Sequence, residues 1–352
     1  MIDSDGQLDD LVDRVRAADW LALDTEADSL HAYPEKLCLI QISLPGADEL
    51  IDPLSALDLS PLLDALRGKE LILHGADYDL RLLRRTYGFV PKTVFDTMLA
   101  ARLLGFTEFG LTNLVENLLQ VHLEKGPQTA DWARRPLTER MINYARNDTR
   151  HLKPLADLLK ARLQEKRRLG WQEESCARLI RECAELRPTD PDQVWRIKGA
   201  DKLDRRGLAV LRALWAWRDA EAVAANRPPY FILRHETLVD LADAGSQERA
   251  LLPLLPPRLS TRRRTGLLAA VALALALPAA QWPHRKRHSG HRASAAEKRR
   301  HDVLRERRDR RAAELGIDPT LIASRATLNA LAGDRDLQQA ALMKWQRELL
   351  EV

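Results

Sequence analysis

The chain has 352 residues, 45% hydrophobic and 30% charged, the composition of a soluble globular protein with core enough for two or three domains. Cys38, Cys176 and Cys183 lack CxxC spacing, which argues against a zinc site or disulfide framework and fits a reducing, cytoplasmic setting. The net charge of +4 conceals a split: His284 to Arg311 holds twelve Lys/Arg against four Asp/Glu, a local +8, and the remainder carries −4.

No secretory signature opens the chain, and its most apolar run, Leu267 to Leu277, falls far short of a membrane span. Residues 20–27, 37–44, 48–52 and 70–74 are short, apolar and β-prone, bounded by turn residues such as Pro45-Gly46 and Gly68, and predict strands. The first two are apolar on both faces, as central strands covered by helices should be. Residues 60–66 and 77–87 predict helices, the second capped by Asp77. A short strand at Thr93-Val-Phe leads to Asp96, which caps a helix over Thr97–Leu104. A helical stripe follows Gly110 (Leu111, Leu114, Val115, Leu118), and one long helix is expected from about Leu137 toward Arg168. Beyond residue 171 no convincing strand is found. Leu208, Leu211, Leu214 and Trp215 belong to an apolar helix broken at Asn226-Arg-Pro-Pro, and both distal stretches are compatible with one helical plan.

Within this frame a few residues carry chemistry. Asp24 and Glu26 project to one side of a strand, because strand side chains alternate faces. Tyr144 and Asp148, four apart, share one helix face. Asp79 opens a helix after His74. If these four carboxylates converge they must repel one another, unless divalent cations neutralise them, and all-oxygen donors suit Mg²⁺ or Mn²⁺. Each residue also has a plainer reading. Asp24 and Glu26 would be a solvated strand end, Asp79 a first-turn acid, Tyr144 a half-buried surface tyrosine. His74 reads as a packed, hydrogen-bonded histidine, His151 as structural, and Trp195, Trp215 and Trp217 as helical core.

Taken together, Asp24-Thr-Glu26, the His74-x4-Asp79 segment and Tyr144-x3-Asp148 resemble the three exonuclease motifs of the DEDD superfamily, tyrosine subclass. The block Lys125 … Thr129-Ala-Asp-Trp-Ala-Arg-Arg-Pro-Leu137 resembles ribonuclease D in particular. Trp195 to Ala242 is similar to the helicase-and-RNase-D C-terminal (HRDC) domain, and Ile317 to the Trp345 region to a second, divergent copy. One departure is Asn147, which stands where the family has a small residue before the last aspartate.

The resemblance implies an α/β fold: a ribonuclease H-like mixed five-stranded sheet with flanking helices, its first three strands an antiparallel meander, followed by two small all-α bundles. It implies an exonuclease domain over 1–170, an HRDC domain over 171–250, and a second HRDC-like domain over 251–352 carrying a basic insert at 284–311. It further implies a 3′-5′ exoribonuclease that releases nucleoside 5′-monophosphates from RNA 3′ ends, tRNA precursors and other structured RNAs among them. Asp24, Glu26 and Asp148 would hold one metal ion, Asp24 and Asp79 a second, and Tyr144 would orient the attacking water. Lys125, Trp132 and Arg135 are candidates for RNA contact, although Trp132 fits a core position equally well. No obligate protein partner or membrane is implied, and a monomer is expected.

A 3′-5′ DNA exonuclease on the same fold is the alternative enzyme, and an RNA-binding scaffold with a silenced site is the non-enzymatic one. The charge split assigns RNA grip to the distal half, so a chain ending near residue 185 is expected to keep cleaving short oligonucleotides.

Overall fold

A computed structural model describes residues 1–124, 126–185, 190–285, 293–334 and 339–352, which form two compact units. The first unit contains the described residues of 1–27, 37–186 and 291–352. Helix α1 (Asp5–Ala17) leads into strands β1 (Leu21–Ala27), β2 (Leu37–Leu44) and β3 (Ala47–Ile51), which pair antiparallel in sequence. Helix α2 (Ser60–Arg67), strand β4 (Glu70–Leu73), helix α3 (Asp77–Tyr87) and strand β5 (Thr93–Asp96) follow, with β4 parallel to β1 and β5 parallel to β4. The strand order is β3-β2-β1-β4-β5, the mixed five-stranded sheet expected.

Every residue of β2 is buried, as its two-faced apolar sequence requires. One side of the sheet closes over Leu11, Val15, Leu62, Leu66, Leu80 and Leu83 from α1, α2 and α3. Helices α4 (Thr97–Leu104), α5 (Leu111–Leu119), α6 (Glu139–Arg150), α7 (Leu152–Glu165) and α8 (Leu169–Ala184) complete this part of the chain.

Two local expectations are corrected. The single helix from Leu137 toward Arg168 is two helices that part at His151. Pro154 has no N–H for the carbonyl of residue 150 and its ring crowds that carbonyl, so the first helix stops there. Asp77 does not cap α3. Ala76 holds the cap position, and Asp77 pairs with Arg81 one turn on, 2.9 Å away. Asp96 caps α4 as expected, accepting from the N–H groups of Met98 and Leu99.

The second unit combines residues 28–36 with the described residues of 187–290. Helices α9 (Arg205–Ala225), α10 (Pro229–Ile232), α11 (His235–Ser246) and α12 (Thr261–Leu275) enclose Trp195, Leu208, Leu211, Leu214, Leu238, Leu241 and Leu267. Trp195 is core, and Trp215 and Trp217 pack partly buried against it. No strand occurs beyond residue 171 among the described residues.

The chain then returns to the first unit with α13 (Ala295–Leu315), α14 (Pro319–Ile322), α15 (Arg325–Gly333) and α16 (Lys344–Leu350). A helix of 21 residues followed by a proline-led helix of 4 occurs as α9–α10 and again as α13–α14, so both distal stretches do share a plan. Leu304, Ile317, Ile322, Leu328 and Trp345 are buried in one core with Leu103, Leu152, Leu155 and Leu159. Arg168 donates to the carbonyls of Leu103 (2.7 Å) and Leu315 (2.8 Å), and Trp171 stacks on Trp345 at 5.0 Å. A chain ending near residue 185 would uncover this core, so the expectation that such a truncation keeps its activity is withdrawn.

Several cations of the basic segment have partners within the fold. Arg300, Arg307 and Arg308 of α13 donate to the carbonyls of Ala332, Leu350 and Ala323 at 2.7, 2.6 and 3.1 Å. Arg305, Arg310 and Arg311 lie in ion pairs with Asp302, Glu314 and Glu351. Arg300, Arg307, Arg308 and Arg311 thus tie α13 to later segments, Arg305 and Arg310 pair within α13, and residues 286–292 lie outside the described residues.

Candidate active site

The five residues singled out in the sequence, Asp24, Glu26, Asp79, Tyr144 and Asp148, line one cleft of about 750 Å³ in the first unit. Three elements deliver them. β1 presents Asp24 and Glu26 on the face where, in register, β2 places Gln41 and Leu39. α6 lies on that face through Met141, Ala145 and Thr149, spaced four apart, which turns the adjoining stripe of Tyr144 and Asp148 into the cleft. Its seating is fixed at the C-terminal end. Ser43 Oγ lies 2.8 Å from Thr149 Oγ1, and Arg150 Nε donates to Asp48 Oδ2 at 2.6 Å.

Asp79 arrives from the first turn of α3. Thr25, the middle residue of Asp24-Thr-Glu26, donates its hydroxyl to Asp79 Oδ1 at 2.5 Å. The turn before α3 is held by Asp96, which accepts from the N–H groups of Gly75 (3.0 Å) and Ala76 (2.9 Å). His74 also lines the cleft, and its Nδ1 lies 2.9 Å from Thr97 Oγ1. Because Thr97 gives its own proton to the Leu73 carbonyl (3.0 Å), Nδ1 is the donor in that pair. Burial lowers the His74 pKa, so the ring is neutral, the packed histidine that the sequence suggested.

The electrostatics of the cleft are unfavourable for carboxylates alone. Burial, then the charges of Asp79, Asp148 and Glu26, push the Asp24 carboxyl well above its ordinary range. Burial followed by Asp148 and Asp79 raises Glu26 to about 9. Burial raises Asp148 to about 7 against the opposing Tyr144 hydrogen bond, and raises Asp79 to about 6 against the bond from Thr25. One oxygen each from Asp24, Glu26 and Asp148 lies within 4.8 Å of the others. Oxygen-only donors, crowded and short of positive charge, are what a hard divalent cation binds, and the donor set fits one.

Tyr144 is enclosed on several sides. Burial followed by the charge of Asp148 raises its pKa well above the usual phenol value. The ring faces Trp132, centroids 6.1 Å apart, and the backbone of Gly126. Asn147, the departure from the family pattern, lines the cleft too.

Of the three candidate RNA contacts, Trp132 and Arg135 do not line the cleft. Lys125 lies outside the described residues. Trp132 is 1% exposed, a core residue with no face open for stacking. Arg135 is locked by Asp52, with Nε to Oδ2 at 2.5 Å and Nη2 to Oδ1 at 2.6 Å, and donates to the carbonyls of Cys38 and Trp132. Thr25, Gln128, Gly126 and the 46% exposed Tyr78, which also lines the cleft, were not singled out from sequence. The position of Thr25 between two motif acids was a signal for it. The others depend on contacts between distant parts of the chain.

Comparison with known proteins agrees with this fold. A profile described as 3′-5′ exonuclease matches residues 1–164, and the HRDC domain profile matches residues 207–252. Ribonuclease D of Gluconacetobacter diazotrophicus is 33% identical over 99% of this chain and 89% of its own. The crystal structure of Escherichia coli RNase D, described as an exoribonuclease involved in structured RNA processing, superposes with a TM-score of 0.76 at 28% identity. That match covers 100% of this chain and 98% of the other. The catalytic core of RRP6 from Trypanosoma brucei matches with a TM-score of 0.64 at 27% identity, over 78% of this chain and 80% of its own. With a converging carboxylate site, the matching fold and relatives of this extent, the chain belongs to the ribonuclease D family and is a 3′-5′ exoribonuclease.

Proposed function

We propose that the cleft hydrolyses the last phosphodiester of an RNA 3′ end, releases a nucleoside 5′-monophosphate, and uses two divalent cations, Mg²⁺ or Mn²⁺. The observation that carries this reading is the convergence of four carboxylates whose ionisation is opposed by burial and by one another. Asp24, Glu26 and Asp148 would hold one cation, and Asp24 with Asp79 the second. Bound there, the cations supply positive charge for the phosphate oxygens and lower the cost of ionising water.

The residues of the chain then have separate tasks. The carboxylates hold the cations, with Thr25 fixing Asp79. Tyr144, whose phenol stays protonated, orients the attacking water and does not abstract its proton. In the reaction a bond forms from the water oxygen to phosphorus, and the bond from phosphorus to the O3′ of the shortened strand breaks. O3′ leaves with a proton. The exposed ring of Tyr78 offers a surface for the terminal base.

By function we divide the chain into the exonuclease domain at 1–170, an HRDC domain at 171–250 and a divergent HRDC-like domain at 251–352. The repeated helical plan supports the last two. Natural substrates are structured RNAs such as tRNA precursors, in keeping with the structured RNA processing ascribed to the Escherichia coli enzyme. Matched RNA and DNA oligonucleotides with free 3′ ends test the assignment. RNA is expected to shorten from its 3′ end in Mg²⁺ with mononucleotide product, and equal or faster cleavage of DNA would favour a DNA exonuclease.

A further inference from the structure

Gly126 has no side chain, and the structure leaves it no room for one. A Cβ placed there would lie 1.5 Å from Cδ2 of Tyr144, 2.2 Å from Cγ and 2.3 Å from Cε2. No ordinary contact approaches these distances, so the backbone of residue 126 lies directly against the tyrosine ring. Trp132, buried in the core, faces the same ring at 6.1 Å with planes 35° apart. Gln128, two residues beyond the glycine, lines the same cleft as Tyr144 and Asp148. The segment 126–132 therefore meets Tyr144 at its ring through Gly126 and Trp132.

We propose that this segment is a clamp that sets the position of Tyr144, with Gly126 as its positioning residue. The proposal rests on the reading of Tyr144 as a participant in hydrolysis. It gives the block from which RNA contact was expected a different task, holding the tyrosine instead of the substrate. The glycine is required by space. Its φ is not in the left-handed region, so the backbone alone would accept alanine.

A methyl group at 126 has two ways out. Either the ring tilts away and carries its hydroxyl with it, or the segment lifts and releases the ring. Both displace the tyrosine by about an ångström relative to Asp148, a misplacement that can cost on the order of 100-fold in rate.

The test is a cycle in the full-length protein using Gly126→Ala, Tyr144→Ala and the double variant. Each is assayed for kcat and KM on a single-stranded oligoribonucleotide in saturating Mg²⁺, and for the shift of its melting midpoint as Mg²⁺ is added. Gly126→Ala is expected to lower kcat roughly 10- to 100-fold, with KM within about 3-fold and the Mg²⁺-dependent shift retained. In the Tyr144→Ala background the ring is gone, and the same glycine substitution should change kcat by less than about 2-fold.

A wild-type rate for Gly126→Ala, or losses that multiply in the double variant, would overturn the clamp. If Gly126→Ala does not fold, the double variant should, because the clash is relieved. Failure of both to fold would place the role of the glycine elsewhere. A Tyr144→Ala protein as fast as wild type would sink the role of Tyr144 and the clamp with it. A slow Tyr144→Ala beside a fully active Gly126→Ala would refute the clamp alone.

Discussion

Arg135→Ala separates a structural arginine from an RNA-binding one. The Arg135 guanidinium meets Asp52 through two hydrogen bonds of 2.5 and 2.6 Å, and reaches the carbonyls of Cys38 and Trp132 at 2.8 Å each. The Asp52 side chain is 9% exposed, so removing its partner strands a buried carboxylate. Breaking a buried pair from one side costs about 3–5 kcal/mol, and that is the loss expected in urea unfolding at neutral pH. The pH dependence has a definite sign. Burial acts to raise the Asp52 pKa, but the Arg135 hydrogen bonds and the Leu54 N–H outweigh it, so the carboxyl titrates below its ordinary range. A depressed carboxylate adds stability above its unfolded pKa and loses it as pH falls through the folded one. The gap between wild type and Arg135→Ala should therefore be full at neutral pH and close below about pH 4. RNA affinity at 25 °C, measured where the variant is still folded, should stay within about 2-fold with an unchanged salt slope. Stability within about 0.5 kcal/mol of wild type, together with weaker binding and a slope reduced by about 1, would return Arg135 to the RNA-binding residues.

Tyr78→Ala should weaken substrate binding by about 1–3 kcal/mol, read as a higher KM on oligoribonucleotides, and an unchanged KM would remove the ring from base contact. Arg168→Met removes two donors from the buried carbonyls of Leu103 and Leu315 and should destabilise the first unit by about 2–4 kcal/mol. Limited proteolysis should then cut first between residues 291 and 352, and a cleavage pattern like that of wild type would argue against this anchor. Tyr144→Phe should lower kcat sharply while leaving stabilisation by Mg²⁺ in place, and loss of that stabilisation would make Tyr144 part of the metal site.

Much of the nuclease fold is legible in the chain because its signals are local. Strands β1 and β2 are apolar on both faces, turn residues bound them, and Asp96 announces the helix that it caps. Asp24 with Glu26, and Tyr144 with Asp148, obey strand and helix periodicity, and the two pairs meet because α6 lies across β1 and β2. What escapes the sequence is decided by pairing over long separations. Charge count alone does not show that Arg300, Arg307 and Arg308 of α13 donate to carbonyls 32, 43 and 15 residues away. Arg135 meets an aspartate 83 residues away. The return of 291–352 to the nuclease core follows from where Leu304 and Trp345 find apolar neighbours, which no local pattern encodes. The break at His151 was within reach, since Pro154 is visible and its clash one turn back is predictable.

The central claim is that Asp24 and its neighbouring carboxylates run a cation-dependent removal of nucleotides from RNA 3′ ends. It is tested most directly by incubating a 5′-labelled oligoribonucleotide with wild type and with Asp24→Asn, each in Mg²⁺ and in EDTA. Wild type in Mg²⁺ should give a ladder shortening from the 3′ end with nucleoside 5′-monophosphates as product. The other three reactions should leave the RNA intact, because in the proposed arrangement Asp24 would serve both cation positions. Shortening by Asp24→Asn at a rate near that of wild type, or undiminished cleavage in EDTA, would contradict the account.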